Sequence, residues 1–165
     1  MTHLFNAMQP MLHREPGLVG AASKFLLDSE IICDGIHIHP AVIQLMFRAM
    51  PEQMILISDS INPTGLQDGC YVAGVLPVDV RNGKALLEDG TIAGSTITLF
   101  DAVKNAVEFG VPEREAILSA TYRPAKSVHY EDKAGLIKEK RIADLLIVDK
   151  DFNLEQVIVE GAFLQ

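Results

Sequence analysis

The stretch EIICDGIHIHPAVIQLMFRAMPEQMILISD, residues 30–59, carries the pattern of a strand, a helix and a second strand. Residues 30–38 are β-branched and apolar enough for a buried strand, and residues 54–58, MILIS, form a short apolar run typical of a buried parallel strand. Between them, Pro40 occupies an early helical position and apolar residues follow at helical spacing. The stretch therefore predicts a βαβ unit and, with it, an α/β fold.

Helical and β patterns both continue outside this unit. Helices are predicted within residues 16–29, over residues 98–109 and from Pro112, with an end or a restart near Arg123-Pro124. Residues 71–90 alternate like short antiparallel strands around a turn at residues 81–84. The tail from residue 143 predicts a strand, a turn at 151–153 and one or two more strands. The chain thus divides into a βα region and a smaller β region.

The composition narrows the class of protein. With 165 residues, 48% apolar and 22% charged, the chain is long and apolar enough for a globular domain. A net charge of −8 with scattered Lys and Arg residues argues against nucleic-acid binding. No apolar run approaches the roughly 20 residues that span a bilayer, and no signal pattern opens the chain, so we expect a cytoplasmic protein without a membrane partner. Cys33 and Cys70 form neither a disulfide framework nor a metal-binding CxxC pair.

Side chains able to bind metal or transfer protons stand at the predicted strand ends. They are His3, the pair His37 and His39, and Asp59. In parallel α/β structures the loops at the carboxyl ends of the strands build the active site. His is a common metal ligand, and Asp serves as a ligand or a general base. Each residue alone could equally be structural, as a hydrogen-bonded histidine or a turn-forming aspartate, so their spacing leaves both interpretations open.

Five motifs in order carry a family resemblance. They are THLFNAM (2–8) with HREPG (13–17), DGIHIHP (34–40), Ser58-Asp59, GTIAGS (90–95) and ATYRPA (120–125). Together they resemble the signatures of the N-acetylglucosamine-6-phosphate deacetylases of the amidohydrolase superfamily, and the resemblance runs over essentially the whole chain. It implies the C-terminal part of a (β/α)8 TIM-barrel metal-dependent hydrolase with a small accessory β-domain. Residues 1–128 would belong to the barrel, with a β insertion near 70–90, and residues 129–165 would be strands of a small β-sandwich domain.

The resemblance also implies roles for individual residues in catalysis. His3 matches a divalent-metal ligand, His37 matches a substrate-binding histidine, and Asp59 matches the catalytic general acid/base. No role carries over to His13 or His39.

Further matched positions would bind the substrate. Asn6 and Ala7 match positions that hold the sugar phosphate. Arg14 matches an arginine that reaches the phosphate of the substrate bound in a neighbouring subunit. The segment Ile92, Ala93 and Gly94 matches one whose backbone contacts the sugar.

The implied activity is hydrolysis of the N-acetyl group of N-acetylglucosamine-6-phosphate to glucosamine-6-phosphate and acetate, in amino-sugar metabolism. The implied cofactor is a divalent metal, most consistent with zinc, and such an ion lowers the pKa of its bound water toward about 7. The partner is then a small amino-sugar phosphate, and the intact enzyme would be a homodimer. Two alternatives stay open. One is another metal-dependent amidohydrolase, and the other is a non-catalytic fragment that needs a partner.

The metal site, however, would be incomplete. In the family a further Glu and a further His come from strands ahead of the matched region, and His3 alone cannot form a three-ligand catalytic site. We therefore expect a truncated portion that is inactive by itself. Its uncovered strand edges and apolar faces predict aggregation or oligomerisation.

Overall fold

The computed structural model describes residues 1–164. They form an α/β structure, as the sequence predicts, in two compact units, Met1–Ala120 and a second that begins at Thr121. The elements of the first unit are α1 (Gly17–Phe25), β1 (Ser29–Ile32), α2 (Pro40–Ala49), a 3-10 turn (Pro51–Gln53), β2 (Met54–Ile57), β3 (Gly69–Ala73), β4 (Leu76–Arg81), β5 (Lys84–Leu86), α3 (Leu99–Glu108) and α4 (Glu113–Ala120). The second unit contains α5 (Tyr122–Ser127), β6 (Leu145–Val148), β7 (Leu154–Val159) and β8 (Ala162–Phe163).

The predicted βαβ unit is present. Strand β1 pairs in parallel with β2, with Ser29 opposite Met54 and Ile32 opposite Ile57, and α2 connects the two strands. Ile31, Ile32, Met54 and Leu56 are buried, which is the burial expected of apolar strands covered on both faces. This unit forms part of the core of the first compact unit.

The N-terminal residues run beside β1. The Glu30 amide donates to the Met1 carbonyl (2.8 Å), and the Leu4 amide donates to the Glu30 carbonyl (2.7 Å). The Leu4 side chain is fully buried. Three neighbouring segments, Met1–Leu4, β1 and β2, therefore run in the same direction, and their carboxyl ends lie at the same edge.

Strand β1 is shorter than predicted. It ends at Ile32, whereas the β-branched pattern continues to Ile38. The Asp34 side chain accepts hydrogen bonds from the Ile36 and His37 amides, both at 2.9 Å. These bonds form a local turn, which competes with strand pairing for the same backbone donors.

Helix α3 begins with a capping box. Thr98 Oγ1 accepts from the Asp101 amide (3.1 Å), and Asp101 Oδ2 accepts from the Thr98 amide (2.9 Å), so two of the amides left unpaired at the start of a helix are satisfied. Ala102, Val103 and Ala106 are buried on one face. Asn105 of this helix donates to the Cys33 carbonyl, which places α3 beside the loop that follows β1.

Strands β3, β4 and β5 form an antiparallel sheet at the place predicted for the β insertion. Val78, Val80 and Ala85 form its small core, and Ile61 and Ala93 pack against them. Because Ile61 follows β2 and Ala93 belongs to the GTIAGS motif, this core joins the chain after β2 to one of the motifs singled out in the sequence.

The second unit contains a helix and a sheet. Helix α5 begins after Thr121, which places Pro124 in its first turn, where a missing backbone N–H removes no helical hydrogen bond. Strands β6, β7 and β8 form an antiparallel sheet, in line with the strands and turn predicted for the tail. Among residues 1–164, no helix has the length and hydrophobicity that a bilayer-spanning segment needs.

Candidate active site

His3 lies in a tight turn at the end of the N-terminal segment. His3, Phe5 and Ala7 have φ values of 31°, 75° and 54°, a left-handed region that residues other than glycine rarely adopt. His3 Nδ1 is 3.1 Å from the Asn6 carbonyl oxygen, and because a carbonyl can only accept, Nδ1 carries the proton. The lone pair of Nε2 is then available to a metal ion or to a hydrogen-bond donor.

Asn6 belongs to the same turn. Its amide nitrogen donates to the His3 carbonyl (2.9 Å), and its side-chain Nδ2 makes longer contacts with the carbonyl oxygens of His3 (3.4 Å) and Leu4 (3.3 Å). Asn6 Oδ1 makes no hydrogen bond with residues 1–164. Ala7 is exposed. The turn therefore presents the side-chain oxygen Oδ1 of Asn6 and the backbone of Ala7 at the surface.

His37 lies in the turn after β1 and contacts Asp34 directly. His37 Nδ1 is 2.6 Å from Asp34 Oδ2, and the two side chains are only 7% and 3% exposed. Burial raises the pKa of Asp34, but the hydrogen bonds from the His37 side chain and from the His37 and Ile36 amides outweigh it, so the pKa is lowered overall. Asp34 is therefore an ionised acceptor at neutral pH.

The turn that carries His37 is anchored by α3. Asn105 Nδ2 donates to the Cys33 carbonyl (2.8 Å). Gly35 has a φ of +72°, and a Cβ placed on it would lie 3.0 Å from Cζ of Phe109, so a glycine is needed for both reasons. The turn is thus held by its own hydrogen bonds and by the packing of a helix.

Asp59 follows β2 and is exposed. Its φ is 48°, and its carbonyl accepts from the Ser95 amide (2.9 Å). The Ser95 carbonyl accepts in turn from the Ile61 amide (3.0 Å), and Ser95 Oγ donates to the Ser58 carbonyl. Ser95 is 2% exposed. It therefore acts as a buried clamp on the backbone around Asp59 and leaves the Asp59 side chain free in solvent.

The same clamp brings Gly94 against Asp59. Gly94 has a φ of +93°, and a Cβ placed on it would lie 3.1 Å from the Asp59 carbonyl oxygen and 2.9 Å from Cγ2 of Ile61. The preceding Ala93 amide donates to the Ala85 carbonyl (2.9 Å). The predicted sugar-contacting segment thus lies beside the predicted acid/base, although the Ala93 N–H already has a partner.

Arg14, His39 and His13 have different surroundings. Arg14 is exposed and makes no hydrogen bond or ion pair with residues 1–164. His39 caps α2, because its Nδ1 accepts from the Ala41 amide (3.2 Å), and this is a structural role that the resemblance does not supply. His13 is exposed and stays without an assigned role.

The arrangement places three of the predicted residues at the ends of neighbouring parallel segments. His3, His37 and Asp59 follow the N-terminal segment, β1 and β2, and Ile92–Gly94 joins them through Asp59. Sequence reasoning does not single out Asp34 as a site residue, although an Asp-Gly pair with a histidine three residues after the aspartate indicates a side chain that caps a turn.

A complete metal centre is not formed by the part of the chain that the structure describes. Within residues 1–164 no group of three His, Cys, Asp or Glu side chains could hold a metal ion. Among residues 1–164 the resemblance matches only His3 to a metal ligand, and a catalytic zinc site needs three protein ligands. The described residues therefore contain one of the donors predicted for such a site.

Comparisons of this chain with known proteins agree on one family. The model of the amidohydrolase family matches residues 1–164. The chain is 40% identical to the N-acetylglucosamine-6-phosphate deacetylase of Bacillus subtilis (strain 168) over an alignment of 166 positions, which covers 98% of this chain and 41% of that protein. It is 34% identical to a putative N-acetylgalactosamine-6-phosphate deacetylase of Escherichia coli (strain K12), over 96% of both chains.

A solved structure supports the same likeness. A variant of the N-acetyl-D-glucosamine-6-phosphate deacetylase from Mycobacterium smegmatis, in complex with N-acetyl-D-glucosamine-6-phosphate, matches with a TM-score of 0.90 and 36% identity. The match covers 98% of this chain and 44% of that one. The chain therefore spans less than half the length of the Bacillus and Mycobacterium proteins, and the resemblance seen in the five motifs is confirmed.

Proposed function

This chain belongs to the amidohydrolase family, and we propose that it forms the C-terminal part of an enzyme that hydrolyses N-acetylglucosamine-6-phosphate to glucosamine-6-phosphate and acetate. One observation carries the proposal. The exposed carboxyl group of Asp59 follows a buried parallel strand, and its backbone is clamped by Ser95 to the segment Ile92–Gly94. The proposed proton-transfer group and the proposed sugar-contacting backbone thus lie together at the edge where α/β enzymes bind their substrates.

Asp59 is the proposed general acid/base. It removes a proton from the attacking water as the water oxygen bonds to the acetyl carbonyl carbon, and it delivers that proton to the amine nitrogen as the C–N bond breaks. The products are acetate and the free amine. The exposure of Asp59 leaves room for water and substrate at the carboxyl group, and the Ser95 clamp fixes its backbone.

The remaining roles concern binding. We propose that Asn6 and Ala7 hold the sugar phosphate and that His37 contacts the sugar. Arg14 would reach the phosphate of the substrate bound in a neighbouring subunit. An exposed arginine without an intramolecular partner suits this last role, because a guanidinium pairs with phosphate through two parallel hydrogen bonds. The homodimer and the cytoplasmic location expected from the resemblance belong to the same proposal.

The proposed metal is a divalent ion, most consistent with zinc, with His3 Nε2 as one ligand. When bound, such an ion supplies a hydroxide-like water and a positive charge at the carbonyl oxygen. Its other ligands must come from outside residues 1–164. We accordingly propose that the chain alone is inactive and belongs to a larger (β/α)8 barrel with an accessory β-sandwich.

N-acetylgalactosamine-6-phosphate is a second candidate substrate. The relative from E. coli strain K12 that bears this name matches over nearly its whole length. The two sugars differ in the configuration of one ring hydroxyl, and the side chain that reads that hydroxyl is not identified among the five motifs. Direct competition between the two substrates decides between them.

A chimeric enzyme provides the test. Residues 1–165 replace the aligned segment of the Bacillus deacetylase, which is 41% of that protein, and acetate release from N-acetylglucosamine-6-phosphate is measured. We expect turnover in the chimera, none from the 165-residue chain alone, and a loss of about 10²–10⁴-fold in Asp59→Asn. Asp151→Asn, which removes an exposed carboxylate from a turn in the second unit, is the matched control and should keep full activity.

Further measurements on the chimera and on the isolated chain test the phosphate requirement, the role of Asp59 and the metal site. N-acetylglucosamine without its phosphate should be a poor substrate, and Arg14→Gln should raise the KM for the phosphorylated sugar more than it changes kcat. A folded, metal-loaded chimera in which Asp59→Asn keeps full turnover would exclude Asp59 as the acid/base. Stoichiometric tight zinc on the isolated chain would contradict the incomplete metal centre.

A further inference from the structure

We infer that Asp34 is a positioning residue that holds His37 in the tautomer with Nδ1 protonated and so presents Nε2 to the substrate as a hydrogen-bond acceptor. The identity of the substrate rests on the proposed function. The tautomer itself is a property of this chain and can be measured without turnover.

The contact between the two side chains is close and sheltered. His37 Nδ1 lies 2.6 Å from Asp34 Oδ2, and both side chains are nearly buried. Since an ionised carboxylate can only accept hydrogen bonds, the nitrogen that faces it must carry a proton. In the neutral imidazole the second nitrogen, Nε2, then holds the free lone pair.

The other carboxylate oxygen has a separate task. Asp34 Oδ1 accepts from the Ile36 and His37 amides, and these two bonds are enough to form the turn. The contact from Oδ2 to His37 is therefore not required for the backbone conformation. A residue that only formed the turn would have no need of a second ionised oxygen.

His37 Nε2 is free to meet a ligand. It makes no hydrogen bond with any of residues 1–164. In the described chain no side-chain nitrogen or oxygen is both fully buried and without a partner, so Nε2 must reach solvent. A nearly buried imidazole with one nitrogen fixed and the other open has the geometry of a binding group, because its orientation is set before the ligand arrives.

The support extends to α3. Asn105 holds the Cys33 carbonyl, the Phe109 ring packs on Gly35, and the Phe109 carbonyl accepts from Gln44 Nε2 of α2. The turn is therefore fixed from two helices. An acceptor held in this way selects a donor, and the donors of an N-acetylated sugar are its ring hydroxyls and its acetamide N–H.

The first experiment reads the tautomer. The 165-residue chain is prepared with ¹⁵N-labelled histidine and sedimented for magic-angle-spinning NMR, so that its oligomeric state does not affect the measurement. The His37 signals are identified by their loss in His37→Gln. We expect a protonated Nδ1 and an unprotonated Nε2 in the native chain at a pH where the imidazole is neutral.

Asp34→Asn is the decisive variant. The amide oxygen of Asn can accept from the same two backbone amides and preserve the turn, while its NH₂ group faces His37 Nδ1 as a donor. We expect the tautomer to invert, with the proton on Nε2. Asp144→Asn is the matched control, because Asp144 also accepts from a backbone amide, that of Glu160 at 2.7 Å, and the His37 signals should not change in it.

The second experiment measures binding in the chimera described above. Asp34→Asn should raise the KM for N-acetylglucosamine-6-phosphate by about tenfold, the loss of roughly one hydrogen bond, with a smaller change in kcat. An unchanged His37 tautomer in Asp34→Asn overturns the positioning role even if the chimera is active. Inversion of the tautomer with no change in KM overturns the role of Nε2 toward substrate. A chimera without turnover that shows the inversion leaves the positioning supported and removes the proposed function.

Discussion

Replacement of Gly94 by alanine tests whether the close approach of the Ile92–Gly94 segment shapes the backbone of Asp59. At this position a Cβ would lie 3.1 Å from the Asp59 carbonyl oxygen and 2.9 Å from Cγ2 of Ile61. The Ile61 methyl group can rotate away, but the carbonyl belongs to the backbone. Relief of the contact therefore moves Asp59 by a few tenths of an ångström.

Gly90→Ala is a control of the same kind. Gly90 has a φ of +83°, close to the +93° of Gly94, but a Cβ at Gly90 would meet no atom within 4 Å. Both variants carry the strain of a left-handed alanine, about 1–2 kcal/mol. Only Gly94→Ala adds the cost of overpacking, about 1–3 kcal/mol, so the difference between the two variants isolates the contact with Asp59.

Urea unfolding of the 165-residue chain, followed by circular dichroism, measures this difference. With an m-value of about 1–3 kcal/mol per M, Gly94→Ala should unfold at a midpoint about 1 M below that of Gly90→Ala. In the chimera, Gly94→Ala should lower kcat, and Gly90→Ala should leave it near the native value. Equal midpoints and equal kcat values for the two variants would refute the coupling between Gly94 and Asp59.

Four further predictions concern stability and assembly. Burial, together with the neighbouring Asp34, raises the pKa of the Cys33 thiol to about 12, so a maleimide should label only the exposed Cys70 until the chain is unfolded; rapid labelling of native Cys33 would contradict this. Because the folded pKa of Asp34 is lowered, its stabilisation is present above the unfolded value of about 3.9 and is lost as the pH falls through the folded value. Asp34→Asn should therefore show a smaller loss of unfolding free energy between about pH 5 and pH 2 than the native chain. Equal losses in the two proteins over this range would contradict the stabilising role of the ionised Asp34. His39→Ala should cost about 1 kcal/mol through the lost cap of α2, and His39→Asn should restore it; equal urea midpoints would show that the cap contributes nothing. Light scattering of the isolated chain should show oligomers, and a monodisperse monomer would contradict the expected uncovered strand edges.

The βαβ unit can be predicted because its signals are local and agree with one another. Apolar runs mark both strands, and Pro40 with the helical spacing that follows it marks α2. The structure places β2 at Met54–Ile57 and α2 at Pro40–Ala49, within one residue of the expected bounds. Short-range pattern and long-range burial lead to the same result here, which is the condition under which sequence reasoning is most reliable.

The predicted end of β1 is wrong because hydrogen bonds to the Asp34 side chain outweigh the strand propensity of the residues that follow. Ile36, His37 and Ile38 read as a continuing strand, yet two of their amides bond to the Asp34 carboxylate. A pattern of apolar and β-branched residues gives little weight to one carboxylate that can replace strand pairing. The Asp-Gly pair is the signal that indicates the turn.

The contacts of the candidate site are less predictable than its position. Strand ends indicate where His3, His37 and Asp59 lie, but the left-handed backbone of His3 and Asp59 has only a weak sequence signal, since neither residue is glycine. The clamp of Ser95 on Asp59 joins residues that are far apart in the chain. Such pairings depend on how Ile61, after β2, and Ala93 pack against the core of the β3–β5 sheet, and they cannot be read from local periodicity.

The groups of the candidate site are held in two different ways. Asp59 and His37 are fixed by hydrogen bonds within the first unit, through Ser95 and Asp34. His3 Nε2 and the Arg14 guanidinium, in contrast, have no partner among residues 1–164. A proton-transfer group can be oriented by one or two local neighbours, whereas a metal ion needs three converging ligands and a phosphate dianion needs several donors. This difference in required partners explains why residues 1–164 can orient the proposed acid/base and histidine by themselves, whereas the proposed metal and phosphate contacts require additional donors.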